Sequence, residues 1–371
     1  MSTVQGDLAV GEGWQHASLG KLLPLKYGKS LPAQLRDPNG THPVYGSSGM
    51  VGTHSEALTT GPTLIVGRKG NVGAIHYSAV PCWPIDTAYF VEAPAGHNLR
   101  YYKYLLESLN LVKLDRSTAI PGLSRDDYNA VEVSVTPPEQ QDEIVAEIEK
   151  QFSRLDEAVA NLQRVKANLK RYEKATIESL TNPETFVECV DGTIADVAIS
   201  LDNMRKPVNK AERATRPGNV PYLGANGQTG WIDAHLFDEE IVLVVEDETF
   251  VGRTAPFSYY FAEKCWVNNH THVLRARPEV VSPKYLNLAL SYYPFIPLTT
   301  GSTGRRKLTK GALMAAPIRV PSLAKQREVV AEVDRRLSLV LSVSNEVDSN
   351  LKRAQALRQA TLSKAFLIGQ T

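Results

Sequence analysis

Cationic, hydroxyl and amide side chains gather in a few glycine-rich loops, and these are the residues whose types and spacing could do chemistry. The most basic loop reads GSTGRRKLTKG over residues 301–311, directly before a predicted strand. Its candidate residues are Ser302, Thr303, Arg305, Arg306 and Lys307. Hydroxyls, backbone amides and cations bind phosphate, and an arginine can also read guanine with two hydrogen bonds. The loop predicts contact with nucleic acid, and a solvated basic turn is the alternative interpretation.

Two loops in the first half of the chain offer a smaller set of the same side chains. Residues 114–127, LDRSTAIPGLSRDD, either form a structural loop or contribute Arg116, Ser117, Thr118 and Arg125. Residues 67–73, GRKGNVG, place between glycines the side chains of Arg68, Lys69 and Asn71. That spacing is neither GxGxxG nor GxxxxGK, so it favours a tight turn that presents cations to DNA over a nucleotide site. The counterpart, residues 246–255, is acidic apart from Arg253 and predicts different base preferences.

Polar side chains also occur in two loops of matching shape, YGSSGMVGTH (45–54) and YLGANGQTGW (222–231). The candidates there are Ser47, Ser48, Asn226 and Gln228, and an amide side chain can pair with adenine through two hydrogen bonds. The stretch NNHTH (268–272) adds Asn269 and His270 as a base-reading loop or a strand edge. Its two histidines at i and i+2 have no further ligands and make a poor metal site. We therefore predict no metal.

Signatures of catalysis are missing from the sequence. No glycine-rich turn follows a strand and opens a helix, so a dinucleotide or S-adenosylmethionine pocket of the usual type is unsupported. The adenine methyltransferase tetrapeptide is absent, since Asn182-Pro183-Glu184-Thr185 lacks the second proline and the aromatic residue. Asp86 and Glu92 are spaced like a nuclease pair, but no suitably placed lysine completes it. We expect a non-catalytic chain without a cofactor.

Composition places the chain among soluble proteins of two or three domains. Its 371 residues carry a formal net charge of +1, so a nucleic-acid surface has to be a local patch. The three cysteines are scattered without metal or disulfide spacing, which is typical of a reducing cytoplasm. Neither a signal peptide nor an apolar run of transmembrane length is visible. We expect a cytoplasmic protein.

The elements that must position these loops occur twice. PPEQQDEIVAEIE from Pro137 and SLAKQREVVAEVD from Ser322 match at a constant offset of 185 residues, as in Gln141 and Gln326. The same offset relates Ser117-Thr118 to Ser302-Thr303 and Thr176 to Thr361. The chain is therefore an internal duplication.

Each copy ends in a long helix with a narrow apolar stripe. From Glu139 to Thr181 there is no glycine or proline, and apolar residues recur at helical spacing. The predicted stripe of the first helix comprises Ile148, Phe152, Leu155, Val159, Leu162, Leu169, Tyr172 and Thr176. That of the second comprises Val330, Val333, Leu337, Val340, Val347, Leu351, Ala354 and Thr361. A long helix with one such stripe needs a partner helix, and the charge pattern favours an antiparallel pair.

The predicted fold class is a multidomain α/β or α+β protein with a pseudo-twofold internal repeat. Two globular domains, residues 1–138 and 182–323, are separated by the helices of residues 139–181 and 324–371, which form an antiparallel coiled coil.

These features together resemble the specificity subunits of type I restriction–modification systems. The resemblance covers essentially the whole chain and depends on two in-register stretches. They are STAIPGLSRDDYNAVEVSVTPPEQQDEIVAEIE in the first half and GSTGRRKLTKGALMAAPIRVPSLAKQREVVAEV in the second. PPEQQ departs slightly from the sequence pattern of the family, in which PxLxxQ is more usual.

The resemblance implies a DNA-binding protein of phage defence. Each globular domain would be a target recognition domain for one half of a bipartite site in double-stranded DNA. The paired helices would fix the gap and dock two methyltransferase subunits, and motor/nuclease subunits would join the full complex. Two other functions stay open at this point: a coiled-coil scaffold that binds proteins, and a self-contained DNA methyltransferase or nuclease.

Overall fold

The computed structural model describes residues 14–92, 94–115, 122–248, 250–301 and 306–367. The chain divides into two compact units. Unit 1 consists of Met1–Leu162 and Ser349–Thr371, and unit 2 is Gln163–Asp348. Each unit therefore combines one globular part with a portion of both long helices. The boundaries predicted at residues 138, 181 and 323 rest on changes in residue composition and apolar spacing along the sequence. They stay a prediction.

The globular part of unit 1 is built from short strands and helices. Its strands are β1 (Gln15–Ser18), β2 (Lys26–Tyr27), β3 (His42–Gly46), β4 (Gly49–His54), β5 (Thr63–Gly67), β6 (Ile75–Ser78), β7 (Trp83–Pro84), β8 (Ala88–Val91) and β9 (Glu132–Val135). Its helices are α1 (Leu19–Leu22), α2 (Leu99–Leu109) and α3 (Arg125–Asn129), followed by the long α4 (Pro138–Leu180), which continues into unit 2.

Unit 2 repeats this series with three additional short elements. Its strands are β10 (Cys189–Thr193), β11 (Ala198–Ser200), β12 (Val220–Gly224), β13 (Gly227–Ile232), β14 (Ile241–Val245), β15 (Asp247–Glu248), β16 (Ser258–Phe261), β17 (Trp266–Val267), β18 (Thr271–Ala276), β19 (Arg306–Lys307) and β20 (Pro317–Pro321). Its helices are α5 (Ile194–Val197), α6 (Lys210–Ala214), α7 (Pro283–Ser291), α8 (Lys310–Met314) and the long α9 (Leu323–Leu367), which continues into unit 1.

The two units share one sheet topology. A four-stranded sheet has the order β2-β8-β5-β6 in unit 1 and β11-β18-β14-β16 in unit 2. A three-stranded sheet has the order β4-β3-β7 in unit 1 and β13-β12-β17 in unit 2, with the outer tryptophan strand parallel in both. The hairpin of this sheet turns through a glycine with positive φ, Gly49 at 108° and Gly227 at 98°, where a side chain would be strained. The predicted α/β fold class and internal repeat are confirmed.

The long helices pair antiparallel within each unit. In unit 1 Arg358 of α9 donates to Asp156 of α4 at 2.8 Å, and in unit 2 Lys166 of α4 pairs with Asp348 of α9 at 2.5 Å. All described members of the predicted α9 stripe are buried or half-buried. The α4 stripe is wrong at Tyr172, which is 48% exposed, because the buried face there passes through Thr176 and Ile177. Among the described residues, no helix carries the apolar stretch that a bilayer span requires.

A buried glutamine fastens the start of each long helix to its globular part. Gln141 Nε2 donates to the carbonyl of Thr136 at 3.1 Å, and its Oε1 accepts from the N–H of Asn98, the N-cap of α2, at 2.9 Å. Gln326 Nε2 donates to the carbonyl of Pro321 at 2.9 Å, and its Oε1 accepts from the N–H of Ser282, the N-cap of α7, at 2.8 Å. Both glutamines are fully buried. The residue that defines the repeat in the sequence thus has the same structural role in both copies.

One polar contact beside this junction is present in unit 1 and lost in unit 2. Tyr101 is fully buried, and its hydroxyl accepts from the N–H of Thr136 at 3.1 Å. The equivalent of Tyr101 is Tyr285, also fully buried, but the equivalent of Thr136 is Pro321, which has no N–H. The Tyr285 hydroxyl is buried without a hydrogen-bond partner among the described residues.

Replacing each tyrosine by phenylalanine should therefore have opposite consequences. Tyr101→Phe leaves the buried Thr136 N–H unpaired and should lower the free energy of unfolding of unit 1 by about 1–3 kcal/mol. Tyr285→Phe removes only an unsatisfied hydroxyl, so unit 2 should be unchanged or slightly more stable. Hydrogen exchange of peptides from each unit, measured in increasing urea, checks both results. Equal losses in the two variants would contradict this account.

Candidate nucleic-acid interface

Equivalent loops of the two units are held in one backbone frame. After β5, the N–H of Arg68 donates to the carbonyl of Thr87 at 3.0 Å, and its carbonyl accepts from the N–H of Leu123 at 2.9 Å. After β14, Glu246 makes the same two bonds, to His270 at 3.1 Å and from Leu308 at 2.8 Å. Arg68 and Glu246 thus occupy one position of the repeated fold, with side chains of opposite charge.

In unit 1 this position opens onto a cleft of about 720 Å³. We call it the Tyr27 cleft; its walls include Tyr27, Arg68, Lys69, Tyr89, Leu123 and Arg125. A neutral contact orients the Arg68 guanidinium, which donates to the carbonyl of Asp86 at 2.9 Å. The guanidinium carbon lies 5.1 Å from the ring centre of Tyr27 and 5.7 Å from that of Tyr89. Burial raises the pKa of the Tyr89 phenol, so this ring is neutral near pH 7.

The cleft brings together three cations that the sequence presents as separate candidates. Lys69 and Arg125 are exposed at its edge, and the Arg125 guanidinium carbon lies 5.8 Å from the same Tyr27 ring. No carboxylate of the described residues forms an ion pair with either residue or with Arg68. Tyr27 itself is 52% exposed and was not among the predicted residues. Its sequence signal, a tyrosine between lysines in LKYGK, is too common to single out.

The equivalent place in unit 2 is filled by buried ion pairs. His272, at the position of Tyr89, lies 2.6 Å from the carboxylate of Asp202 through Nδ1 and 2.8 Å from the carbonyl of Leu308 through Nε2. Both ring nitrogens of His272 thus face acceptor groups. Arg205 contacts both Asp202 and Glu246, and Lys307 Nζ lies 3.0 Å from Glu246.

The electrostatics of this network keep its carboxylates ionised. Burial is the largest single influence on Asp202 and would raise its pKa, but the hydrogen bond and charge of His272, the Val273 N–H and Arg205 together lower the pKa. Burial is likewise the largest single influence on Glu246, yet Arg205, His272 and Lys307 together lower its pKa. The cations of unit 2 that face this network are thus neutralised within the protein.

The predicted residues of the β3–β4 and β12–β13 turns differ in exposure. Ser47 is buried, and its N–H donates to the hydroxyl of Thr87 at 3.3 Å, whereas Ser48 is exposed. Asn226 is exposed, and the exposed Gln228 donates to the carbonyl of Gly230 at 3.1 Å. Ser48, Asn226 and Gln228 are therefore accessible, and Ser47 is not.

Several other candidates make contacts within the protein. Arg253 donates to the carbonyl of Pro256 at 2.8 Å, and Arg306 donates to the hydroxyl of Thr299 at 2.6 Å. His270 pairs with Asp247 at 2.6 Å, and both side chains are partly exposed. Asn71 and Asn269 are exposed.

Six candidates lie outside the described residues: Arg116, Ser117, Thr118, Ser302, Thr303 and Arg305. Within the described ranges, no group of three or more His, Cys, Asp or Glu side chains could hold a metal ion.

The family comparison matches this repeated architecture. The Methylase_S family, described as "Type I restriction modification DNA specificity domain", matches twice, over residues 11–171 and 187–338. The chain belongs to this family. Each matched stretch contains one globular part of the chain together with part of the long helix that follows it.

Individual relatives are more distant. A putative type I restriction enzyme specificity subunit of Haemophilus influenzae, S.HindORF215P, is 33% identical over 168 residues, which are 43% of this chain and 42% of that protein. The EcoDI specificity subunit of Escherichia coli is 21% identical, and the alignment covers 95% of this chain and 88% of that protein. A chain from a solved structure on complex assembly and conformational transition of the type I R-M system has a TM-score of 0.65 at 17% identity, covering 96% of this chain and 98% of that chain. At 17% sequence identity, this structural similarity shows only that the two chains share a fold.

The buried network predicts that acid destabilises unit 2 more than unit 1. Folding lowers the pKa of Asp202 from 3.8 and that of Glu246 from 4.5, so their stabilisation is fully present above these unfolded-state values and is lost as the pH falls through the folded-state values. Asp202→Ala should lower the free energy of unfolding of unit 2 by about 3 kcal/mol at pH 7, because it removes the nearest carboxylate of His272 and one of the two carboxylates that Arg205 contacts.

Hydrogen exchange of peptides from β18 of unit 2 and β8 of unit 1, measured between pH 5 and pH 3, provides the test and its internal control. Protection should fall faster with acid in β18 than in β8 after correction for intrinsic exchange, and this difference should shrink in Asp202→Ala. Parallel loss of protection in the two strands would contradict the prediction.

Proposed function

We propose that each unit recognises one half of a bipartite target in double-stranded DNA. The observation that carries this proposal is the single backbone frame at Arg68 and Glu246, which holds opposite charges in the two units. A repeated frame with divergent side chains suits two readers that bind the same kind of ligand but prefer different bases. The family and the E. coli relative, a restriction enzyme specificity subunit, support this assignment.

The paired helices would fix the gap between the half-sites and dock two methyltransferase subunits. Support comes from the register of the pair: Asp156 faces Arg358 in unit 1, and Lys166 faces Asp348 in unit 2. Each unit thus holds a portion of both helices as an antiparallel pair. Leu339 and Val343, one turn apart on α9, are 58% and 45% exposed and suit a partner protein.

In this proposal the chain is a non-catalytic, cytoplasmic subunit. Methylation and cleavage would belong to its methyltransferase and motor/nuclease partners, and the sequence motifs for either chemistry are missing from this chain. A scaffold that binds only proteins would not require cations, amides and hydroxyls at equivalent loops of both units.

Exchanging residues 182–323 for the matching domain of another family member should change one half of the target and leave the other half intact. The reason is that the two readers make their base contacts independently. The measurement is a map of methylated bases in a host genome that carries the assembled complex. The reciprocal exchange of residues 1–138 is the control and should change the other half. A change of both halves after one exchange would contradict modular recognition.

Shortening both helices by two turns should shorten the gap. The segment opposite Val159–Val165 is Ser349–Gln355, so removing both keeps the flanking ion pairs and the heptad face. The loss of about 10 Å corresponds to about 3 base pairs. Three base pairs also rotate one half-site by about 100°, so we expect weaker methylation together with the shorter gap.

The same methylation map checks the deletion. Removing Val159–Val165 alone is the control: it slips the pair out of register and should abolish methylation at both spacings. A double deletion that still methylated the original spacing would show that the helices do not set the gap.

A further inference from the structure

The Tyr27 cleft concentrates positive charge that the described part of unit 1 does not neutralise. Arg68, Lys69 and Arg125 form no ion pair there, and Asp126 is the one carboxylate residue that lines the cleft with them. Nearby cations of the same unit differ, since Lys26 pairs with Glu92 and Arg100 pairs with Glu149. Cations brought together without counter-ions repel each other, and an anion bound between them relieves that repulsion.

Arg68 is held in place by neutral groups alone. One of its N–H groups donates to the Asp86 carbonyl, and two tyrosine rings flank the guanidinium. A guanidinium has five N–H donors, so most of them stay available for a ligand. Because the protein fixes its orientation in advance, little side-chain entropy is lost when an anion binds.

The size and the lining of the cleft indicate which anion it takes. A volume of about 720 Å³ has room for a phosphate together with the sugars on either side. The half-exposed Tyr27 ring supplies a flat apolar surface of the kind that contacts a sugar or the edge of a base. Planar guanidinium groups match the geometry of phosphate oxygens.

We propose that the Tyr27 cleft binds one phosphodiester of the DNA at the half-site read by unit 1. This inference rests on the proposed function, and it assigns Arg68, Lys69 and Arg125 to the backbone rather than to a base. The contact positions the duplex on unit 1 and carries no sequence information of its own.

The described residues of unit 2 form no equivalent anion site. The positions of Tyr27, Arg68 and Lys69 are taken there by Asp202, Glu246 and Asp247, and their carboxylates pair with Arg205, His272, His270 and Lys307. A phosphate entering that place would displace lysine or arginine from a buried carboxylate, which is costly. The two half-sites are therefore held by different phosphate contacts.

The test uses the assembled complex with its methyltransferase partners and a duplex that contains the mapped target. The variant is Lys69→Gln with Arg125→Gln, two exposed residues whose replacement leaves the Arg68 contacts in place. The dissociation constant is measured as a function of salt concentration. The log–log salt slope should fall by about 1, since one phosphate is lost, and not by 2. The affinity gap between wild type and variant should therefore shrink about three- to fourfold between 50 and 200 mM salt.

Lys26→Gln is the matched control. Lys26 adjoins Tyr27 on β2, but strand alternation places its side chain on the opposite face, where it pairs with Glu92. We expect its salt slope to equal that of the wild type. An equal decrease in both proteins would show a general charge effect and overturn the assignment to the cleft.

A duplex series with one neutral methylphosphonate at each position of the half-site then locates the contact. At one position, wild type and variant should bind with equal affinity, because the charge that they distinguish is gone. If no position equalises them, or if the variant instead tolerates a changed base pair, the phosphate assignment is wrong. If the wild-type complex does not prefer the bipartite target at all, the proposed function fails. Preferential binding with an unaltered variant slope rejects the cleft alone.

Discussion

The buried glutamine at the start of each long helix is the constraint on which the rest of the fold depends. Its amide joins the carbonyl before the helix to the N-cap of the shorter helix, α2 or α7, that packs below it. A fully buried amide requires its partners, so the angle at which the helix leaves the globular part is specified and not merely allowed. Because both copies keep this junction, each unit receives its helices in the same way. Within each unit, the orientation of the candidate loops relative to the helices is thus set by this junction and not by the loops themselves.

That frame leaves the side chains of the loops free to diverge. The Tyr101–Thr136 hydrogen bond has no counterpart at Tyr285, because Pro321 lacks the donor, yet the strands and helices around both tyrosines correspond. The same tolerance is larger after β5 and β14, where an arginine beside two tyrosines in one unit is a buried carboxylate in the other. Backbone hydrogen bonds hold residues 68 and 246 in place in both cases, so the charge at this position can be inverted while both bonds are kept.

The repeat, the long helices and their antiparallel pairing could all be predicted from the sequence. The helices follow from the spacing of apolar residues, the pairing from the apolar stripes and the charge pattern, and the repeat from the constant offset of 185 residues. Sequence reasoning failed at Tyr172, where an apolar residue at helical spacing is exposed and the buried face runs through its neighbours. It named Arg68, Lys69 and Arg125 as separate loop candidates but could not join them. Their common element is Tyr27, about 40 residues earlier in the chain, and its place beside Tyr89 depends on the pairing of β2 with β8. In unit 2, basic composition around Arg306 and Lys307 suggested free cations, but both side chains contact groups of the same unit.

The inverted charges also bear on how such a protein can acquire a new target. In unit 2 the carboxylates of Asp202 and Glu246 are buried, so changing either one alone removes the nearest carboxylate of at least one buried or half-buried cation of the network. In unit 1 the cleft cations are held by a carbonyl and by rings, and replacing an exposed one disturbs no ion pair of the described residues. Single substitutions in the unit 1 cleft should therefore destabilise the protein less. Changing the charge of the equivalent network in unit 2 requires several substitutions together. Replacement of a whole domain avoids that barrier, because the network moves as one piece and the glutamine junction that receives it is the same in both copies.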